Sequence, residues 1–289
     1  MTDLIRSLDL TNNSVISLRD IQSDKWISST DVNQVSGDFV ITEPLDDDGT
    51  YGGRVVIYPA SLEVEINEPI ILTTFDRVGD LYYPLSAKFD YIRRKLWIAD
   101  TGNDRVLKVN LNTYQVDIEI ENIYYPHAIA INLNNGGVFV KGYSAKNTVD
   151  AVVIYFRGNG TELVRFGFDE KELDSSSSSS SFSGSLSESS SSSIEARIPN
   201  LPPSNSIAFD HVRSRAWWVF GTKIYMADLG NEQVQVYDLR SDSFRNTQSI
   251  TVELSSGNSF VIVQNVHDED YLIQMSKDNN ELLGTAYLE

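Results

Sequence analysis

Cysteine is absent from the 289 residues, which excludes disulfides, thiolate zinc sites and a cysteine nucleophile. That absence leaves the compartment open, since secreted chains also do without cysteine. Histidine is scarce, at three residues. Positive charge is in deficit: 23 Lys and Arg stand against 41 Asp and Glu, a formal net charge of −18. A surface that acidic repels phosphate backbones and anionic lipid headgroups, so neither nucleic acid nor a membrane surface is an expected partner. No apolar run approaches the roughly eighteen residues a spanning helix needs. The opening Met1-Thr2-Asp3-Leu4-Ile5-Arg6 has no basic segment leading into an apolar one. No signal peptide is therefore expected, and the expectation is cytoplasmic synthesis.

What is present is apolar and aromatic: 41% hydrophobic residues, 10% of the chain aromatic, enough for a substantial core. Leu96 to Val109 reads as two strands and their turn. Leu96-Trp97-Ile98-Ala99 is apolar and β-prone, and Val106, Leu107 and Val109 resume the pattern. Asp100-Thr101-Gly102-Asn103 supplies side chains that bond nearby amides, and a glycine. Tyr225-Met226-Ala227-Asp228-Leu229-Gly230-Asn231 repeats this order of residue types.

A repeat can be counted. Trp97 follows Asp90 by seven residues, Phe139 follows Asn132 by seven, and Trp217 follows Asp210 by seven. Prolines precede each unit, at Pro84, Pro126 and Pro202-Pro203. Asp90 to Asn132 is 42 residues; counting back the same step reaches Asp48 and Val55, and a weaker last pair is Gln264 with Tyr271. Asn132 to Asp210 is longer and contains a serine tract, which reads as an insertion. The fourth unit has two possible registers, one anchored on Asp210 and one on Asp228-Leu229-Gly230-Asn231, and the sequence leaves both open. Short strands recurring at a period near 40 predict one all-β domain over 1–289, a β-propeller of five or six four-stranded blades with a Ser-rich insertion. The first 36 residues either add a sixth blade or close the ring against the C-terminal strand. The insertion, 174–196, is either a flexible surface loop or an arm that orders on a neighbouring subunit.

The run Tyr125-Pro126 … Ile129-Ala130 … Val138-Phe139-Val140, with Leu96 to Val106, resembles the NHL-type β-propeller repeat. The resemblance spans about 83 to 143, more weakly 200 to 240, and departs at Glu232-Gln233, where the family carries a basic residue. It implies that Asp100 to Asn103 is a structural turn and that Arg105 faces solvent or a partner. Serine-run inserts also resemble those of some phage and bacterial surface proteins.

Some NHL-like propellers are lyases or lactonases with a metal at the channel mouth, held from the loop before each blade. The matching positions, five before each repeat anchor, are Glu43, Leu85, His127, Asn205 and Ser259. Leu85 breaks that ring and only His127 is imidazole, so no metal, cofactor or catalytic residue is assigned. His211 and His267 lie in polar turns with no Ser–His–Asp partner. Asp46-Asp47-Asp48-Gly49 lacks calcium-loop spacing, and the Asn12 and Asn159 sequons lack a secretory context. Tyr82-Tyr83 and Tyr124-Tyr125 stand at matched places before the blade prolines, either packing near the axis or lining a recognition face. The leading expectation is a non-enzymatic scaffold with protein partners or self-assembly, extended to a virion or cell-surface subunit. Its candidate binding residues are Tyr83, Tyr125, His127, Asn205 and Arg105. A metal-dependent lyase or lactonase and a glycan-binding propeller are the alternatives.

Overall fold

The computed structural model describes residues 3–9, 14–23, 26–45, 49, 51–60, 68–121, 123–144, 151–167, 206–230, 233–239, 244–253, 255–265, 267–278 and 280–287. The serine tract, Asn205 and Asp46 to Asp48 lie outside them. Among the described residues there is no α-helix, and a 3-10 turn spans Thr101–Asn103. A two-stranded hairpin, β1 (Asp3–Asp9) and β2 (Ser14–Ser23), comes first. The first four-stranded sheet follows: β3 (Ser29–Val32), β4 (Phe39–Leu45), β5 (Tyr51–Tyr58) and β6 (Ile70–Leu72). A second short hairpin, β7 (Thr74–Phe75) and β8 (Gly79–Asp80), leads to the second sheet, β9 (Pro84–Asp90), β10 (Lys95–Asp100), β11 (Arg105–Asn110) and β12 (Val116–Ile120). The third holds β13 (Tyr124–Asn132), β14 (Gly137–Tyr143), β15 (Ala151–Phe156) and β16 (Glu162–Gly167). The fourth holds β17 (Ile207–Asp210), β18 (Arg215–Phe220), β19 (Lys223–Asp228) and β20 (Gln233–Asp238). The fifth holds β21 (Phe244–Val252), β22 (Ser259–Asn265), β23 (Asp270–Met275) and β24 (Leu282–Tyr287). All pairings are antiparallel and run in chain order.

Strand alternation explains how the sheets stack. In β10, Leu96 and Ile98 join a core cluster with Val40, Val55 and Ile57 of the first sheet. Trp97 and Ala99 point the other way, into a cluster with Ile129, Val138 and Val140 of the third. The third sheet uses its second face, Ala128, Ala130 and Phe139, against Trp218 and Tyr225 of the fourth. Trp217, Val219 and Met226 then pack on Val261, Val263 and Ile273 of the fifth. Because both faces of a sheet are buried, its middle strands are continuously apolar rather than half polar. Each first strand also packs on the next: β3 on β9, β9 on β13, β13 on β17, β17 on β21. Sheets turning in sequence about their first strands make the fold a β-propeller.

The structure corrects the repeat at both ends. Val55 lies in β5, a third strand, and Gln264 and Tyr271 lie in β22 and β23. The true anchors are Asn33, seven residues before Val40, and Glu253, seven before Phe260. The fourth sheet takes the Asp210 register, and Tyr225 to Asp228 is the third strand of its sheet, so it is not equivalent to Leu96 to Asp100. Of the two roles open to the first 36 residues, closing the ring against the C-terminal strand is not found among the described residues: β1 pairs with β2, and β24 with β23.

The anchors open turns of one design. Asn33, Asp90, Asn132 and Asp210 each accept backbone amides two or three residues on through Oδ1. Four residues past each anchor the chain enters the left-handed region: Gly37, Arg94, Gly136, Ser214 and Gly257 have φ of 78°, 53°, 72°, 56° and 80°. The turns are latched together. Arg93 Nη1 and Nη2 donate to Leu133 O (3.0 Å) and Asn134 O (2.9 Å) of the next turn while Nη1 pairs with buried Asp90 at 3.1 Å. Asn134 donates to His211 O, and Arg213 Nη2 to Ser255 O at 3.0 Å. Each arginine lies over a glycine of the following turn: a Cβ on Gly136 would stand 2.8 Å from Arg93 Cδ, and one on Gly257 2.6 Å from Arg213 Cζ.

Candidate functional site

At the opposite end of the strands, the Asp100 to Asp104 turn joins two sheets' entry loops. Asp100 Oδ1 accepts Tyr82 N at 2.7 Å, Gly102 N donates to Tyr82 O at 2.8 Å, and Asn103 Nδ2 reaches Asp80 O at 2.9 Å. In the other direction Thr101 Oγ1 donates to Pro126 O at 2.6 Å, and Asp104 Oδ1 accepts Tyr125 N at 2.8 Å. A side chain on Gly102 would collide with the Tyr82 ring, with its Cβ 2.0 Å from Cδ1, so only glycine fits beneath it. The structural turn expected of this motif is thus a staple between the loops that begin β9 and β13.

Arg105 completes the staple from inside, against the expectation that it faces solvent or a partner. It is buried; its Nε donates to Asp100 Oδ2 (2.7 Å), Nη1 to Val78 O (2.7 Å) and Glu119 Oε1 (2.9 Å), and Nη2 to Asp80 O (3.1 Å). Burial would lower its pKa, but hydrogen bonding and charge from Asp100, then from Glu119, outweigh that and raise it. The guanidinium ties β11 to β12 and the β7–β8 hairpin; sequence distance hid these partners.

Tyr83 and Tyr125 occupy equivalent, half-buried positions before β9 and at the start of β13, both left-handed, with φ of 54° and 48°. Tyr83 tilts against Trp26 at 6.2 Å between ring centroids, and Tyr82 beside it is exposed. Tyr125 meets Tyr143 at 6.0 Å and His127 at 6.2 Å, and His127 meets Tyr143 at 5.9 Å. His127 itself is buried. Its Nδ1 lies 3.0 Å from Tyr125 O, which can only accept, so Nδ1 carries the proton and Nε2 is bare. Nε2 has no hydrogen-bond partner among the described residues. Burial, with the Lys141 charge in support, drives the imidazole pKa down to about 3, against the Tyr125 hydrogen bond.

Sequence reasoning missed Lys141 and Tyr143, although a lysine inside Val138-Phe139-Val140-Lys141-Gly142 was a visible anomaly. Lys141 is wholly buried between the third and fourth sheets; Nζ donates to Val219 O at 2.6 Å, and burial lowers its pKa to about 7. Burial raises the Tyr143 phenol.

The supposed ring of matched positions does not assemble. Glu43 and Ser259 belong to the second strands β4 and β22, and Glu43 pairs with Arg54. On the corrected anchors the matching residues are Ser28 and Gln248, and Asn205 lies outside the described residues. Among the described residues no group of three or more His, Asp or Glu is placed to hold a metal ion. Nor, among them, is any helix long and apolar enough to cross a membrane.

No protein family matches the sequence, and no curated protein does. Solved structures match over nearly the entire chain. One, from a nidogen/laminin complex, superposes with a TM-score of 0.58 at 14% identity over 99% of this chain and 91% of the other. Another, from a mitotic checkpoint complex, gives 0.63 at 9% identity over 100% and 74%. Both are β-propellers, and at such identities they establish the fold alone.

Proposed function

We propose that this chain is an NHL-like propeller working as a non-enzymatic interaction scaffold, with Ser-rich 174–196 inserted into one propeller domain. Direct packing of the third sheet on the fourth, across that insertion, supports a single domain. The partner surface is the end carrying Trp26, Tyr82, Tyr83, Tyr125 and Tyr143. One observation carries this reading: the polar side chains there are spent on structure, while the aromatics remain half-buried or exposed. Asp100, Thr101, Asn103 and Arg105 all bond to loop backbone, and His127 is sealed below Tyr125 and Tyr143. Tyrosine and tryptophan give large contact area for little lost side-chain freedom, which suits recognition. Both propeller neighbours were solved in protein–protein complexes, which agrees with it.

Residue-resolved cross-linking of the native assembly tests this. Protein contacts at Trp26 and Tyr82, lost in Tyr82→Ala with the fold intact, are expected; we extend the scaffold to a virion or cell-surface subunit on the same test. A partner-free monomer carrying stoichiometric metal that His127→Ala removes would replace this reading with the lyase or lactonase one. Binding of a defined sugar on a glycan array, abolished by Tyr82→Ala, would replace it with a lectin.

A further inference from the structure

The latched turns at the other end of the strands carry a second surface. Two residues past the anchor, three of the five turns present a β-branched aliphatic residue to solvent: Val35 (78% exposed), Ile92 (59%) and Val212 (63%). Singly exposed aliphatics are ordinary. Three at one structural position, in turns that favour Asn, Asp, Ser and Gly, are not scattered. The fourth and fifth equivalents, Asn134 and Ser255, are occupied by the latch itself. Tyr91 Oη donates to Gln34 Oε1 at 3.5 Å, which sets the turns of Val35 and Ile92 side by side.

Charge selects the occupant. From each anchor to five residues beyond it, the turns contain five cations (Arg93, Arg94, Lys95, Arg213, Arg215) and four anions (Asp38, Asp90, Asp210, Glu253), and the carboxylates paired with Lys95 and Arg215, Asp117 and Asp228, bring the sum to −1. The whole chain stands at −18, so two copies repel one another over most approaches. This end carries little of that repulsion, its charges being largely paired, and offers apolar contacts held by the latch, so little freedom is lost on association. We propose that it is a self-association face, through which two copies meet back to back about a two-fold axis with Val35, Ile92 and Val212 at the centre. The aromatic ends then point outward, away from the contact.

Sedimentation velocity and native mass spectrometry of the full chain, over a range reaching about 100 µM, test this. A dimer is expected. Ile92→Glu weakens it at least about tenfold, and Ile92→Glu with Val212→Glu leaves monomer. Tyr82→Ala, at the opposite end, leaves the dimer constant unchanged, and added salt tightens association by screening the bodies' repulsion. Circular dichroism and melting temperature unchanged from wild type certify each variant; Val35→Glu substitutes for any that fails. A wild-type monomer at the top concentration, a dimer that survives the double substitution, or one that dissolves in salt overturns the proposal. Because the aromatic end is untouched, its failure leaves the scaffold reading standing, and the reverse.

Discussion

Adding one methyl group to Gly136 separates backbone cost from latch cost. Gly136 sits at φ 72°, where a Cβ costs about 1–2 kcal/mol. The same Cβ would lie 2.8 Å from both Cδ and Nε of Arg93 and 3.0 Å from Asp90 Oδ2, so the guanidinium must move. Arg93 then gives up at least one bond among Asp90, Leu133 O and Asn134 O, and a hydrogen bond to a charged group contributes about 1.5–3 kcal/mol. Part of that returns because the arginine is partly exposed and finds water, so Gly136→Ala is expected to cost about 2–4 kcal/mol. In an Arg93→Ala background there is nothing to collide with, and the same substitution costs only the backbone part. The assay is urea unfolding of wild type, both single variants and the double, compared at constant m-value. A coupling of about 1–2 kcal/mol is expected. Gly79→Ala, at φ 77° with no atom near its Cβ, calibrates the backbone term. If Gly136→Ala costs the same with and without Arg93, the latch argument is wrong.

Acid should weaken the fold through His127. The unfolded imidazole takes a proton below about 6.5, the folded one only near 3, so stability falls with pH through that window. Between pH 6.5 and 5, above the carboxylate range, the loss is about 2 kcal/mol, and His127→Gln flattens it in pH-resolved urea melts. Lys141 acts over a higher window: with a folded pKa of about 7 against 10.5 unfolded, the unfolded state holds the extra proton, so stability rises with pH. A gain of about 2–3 kcal/mol from pH 7 to 9, absent in Lys141→Met, is expected from the same melts. Arg105→Met strands the buried Asp100 carboxylate and should cost about 3–5 kcal/mol by equilibrium unfolding, with Arg105→Lys restoring little because one ammonium cannot serve four acceptors.

The propeller was legible because blade stacking imposes periodicity on residues that pack nothing else. Asp90, Asn132 and Asp210 each needed a side chain that folds back on its own turn, and each put an aromatic seven residues on. The first unit was misplaced because the β7–β8 hairpin and the long connection from Tyr58 to Ile70 stretch the step from Asn33 to Asp90 to 57 residues, while Asp48 happened to lie at the expected spacing. The fifth was missed because its anchor is Glu253, a longer side chain than the Asp and Asn of the other turns, whose carboxylate accepts from Ser256 Oγ. Tyr225 to Gly230 left the fourth register open for another reason. Second and third strands are both buried on two faces, so they draw on the same apolar alphabet. At the candidate site, the paired tyrosines and His127 could be placed from the repeat. Arg105 could not, since Val78, Asp80 and Glu119 converge on it only after the hairpin folds across the sheet.

The rim latch also limits how such a molecule can be rebuilt. Arginine-bearing turns occur in the second and fourth sheets, and the turns that lie beneath them, in the third and fifth, carry glycine. A blade copied alone into its neighbour's slot would set arginine over a blocked turn, or leave a bare glycine with no guanidinium above it. Exchange by twos preserves the fit. The natural unit for lengthening, shortening or shuffling this chain is therefore a couplet of blades.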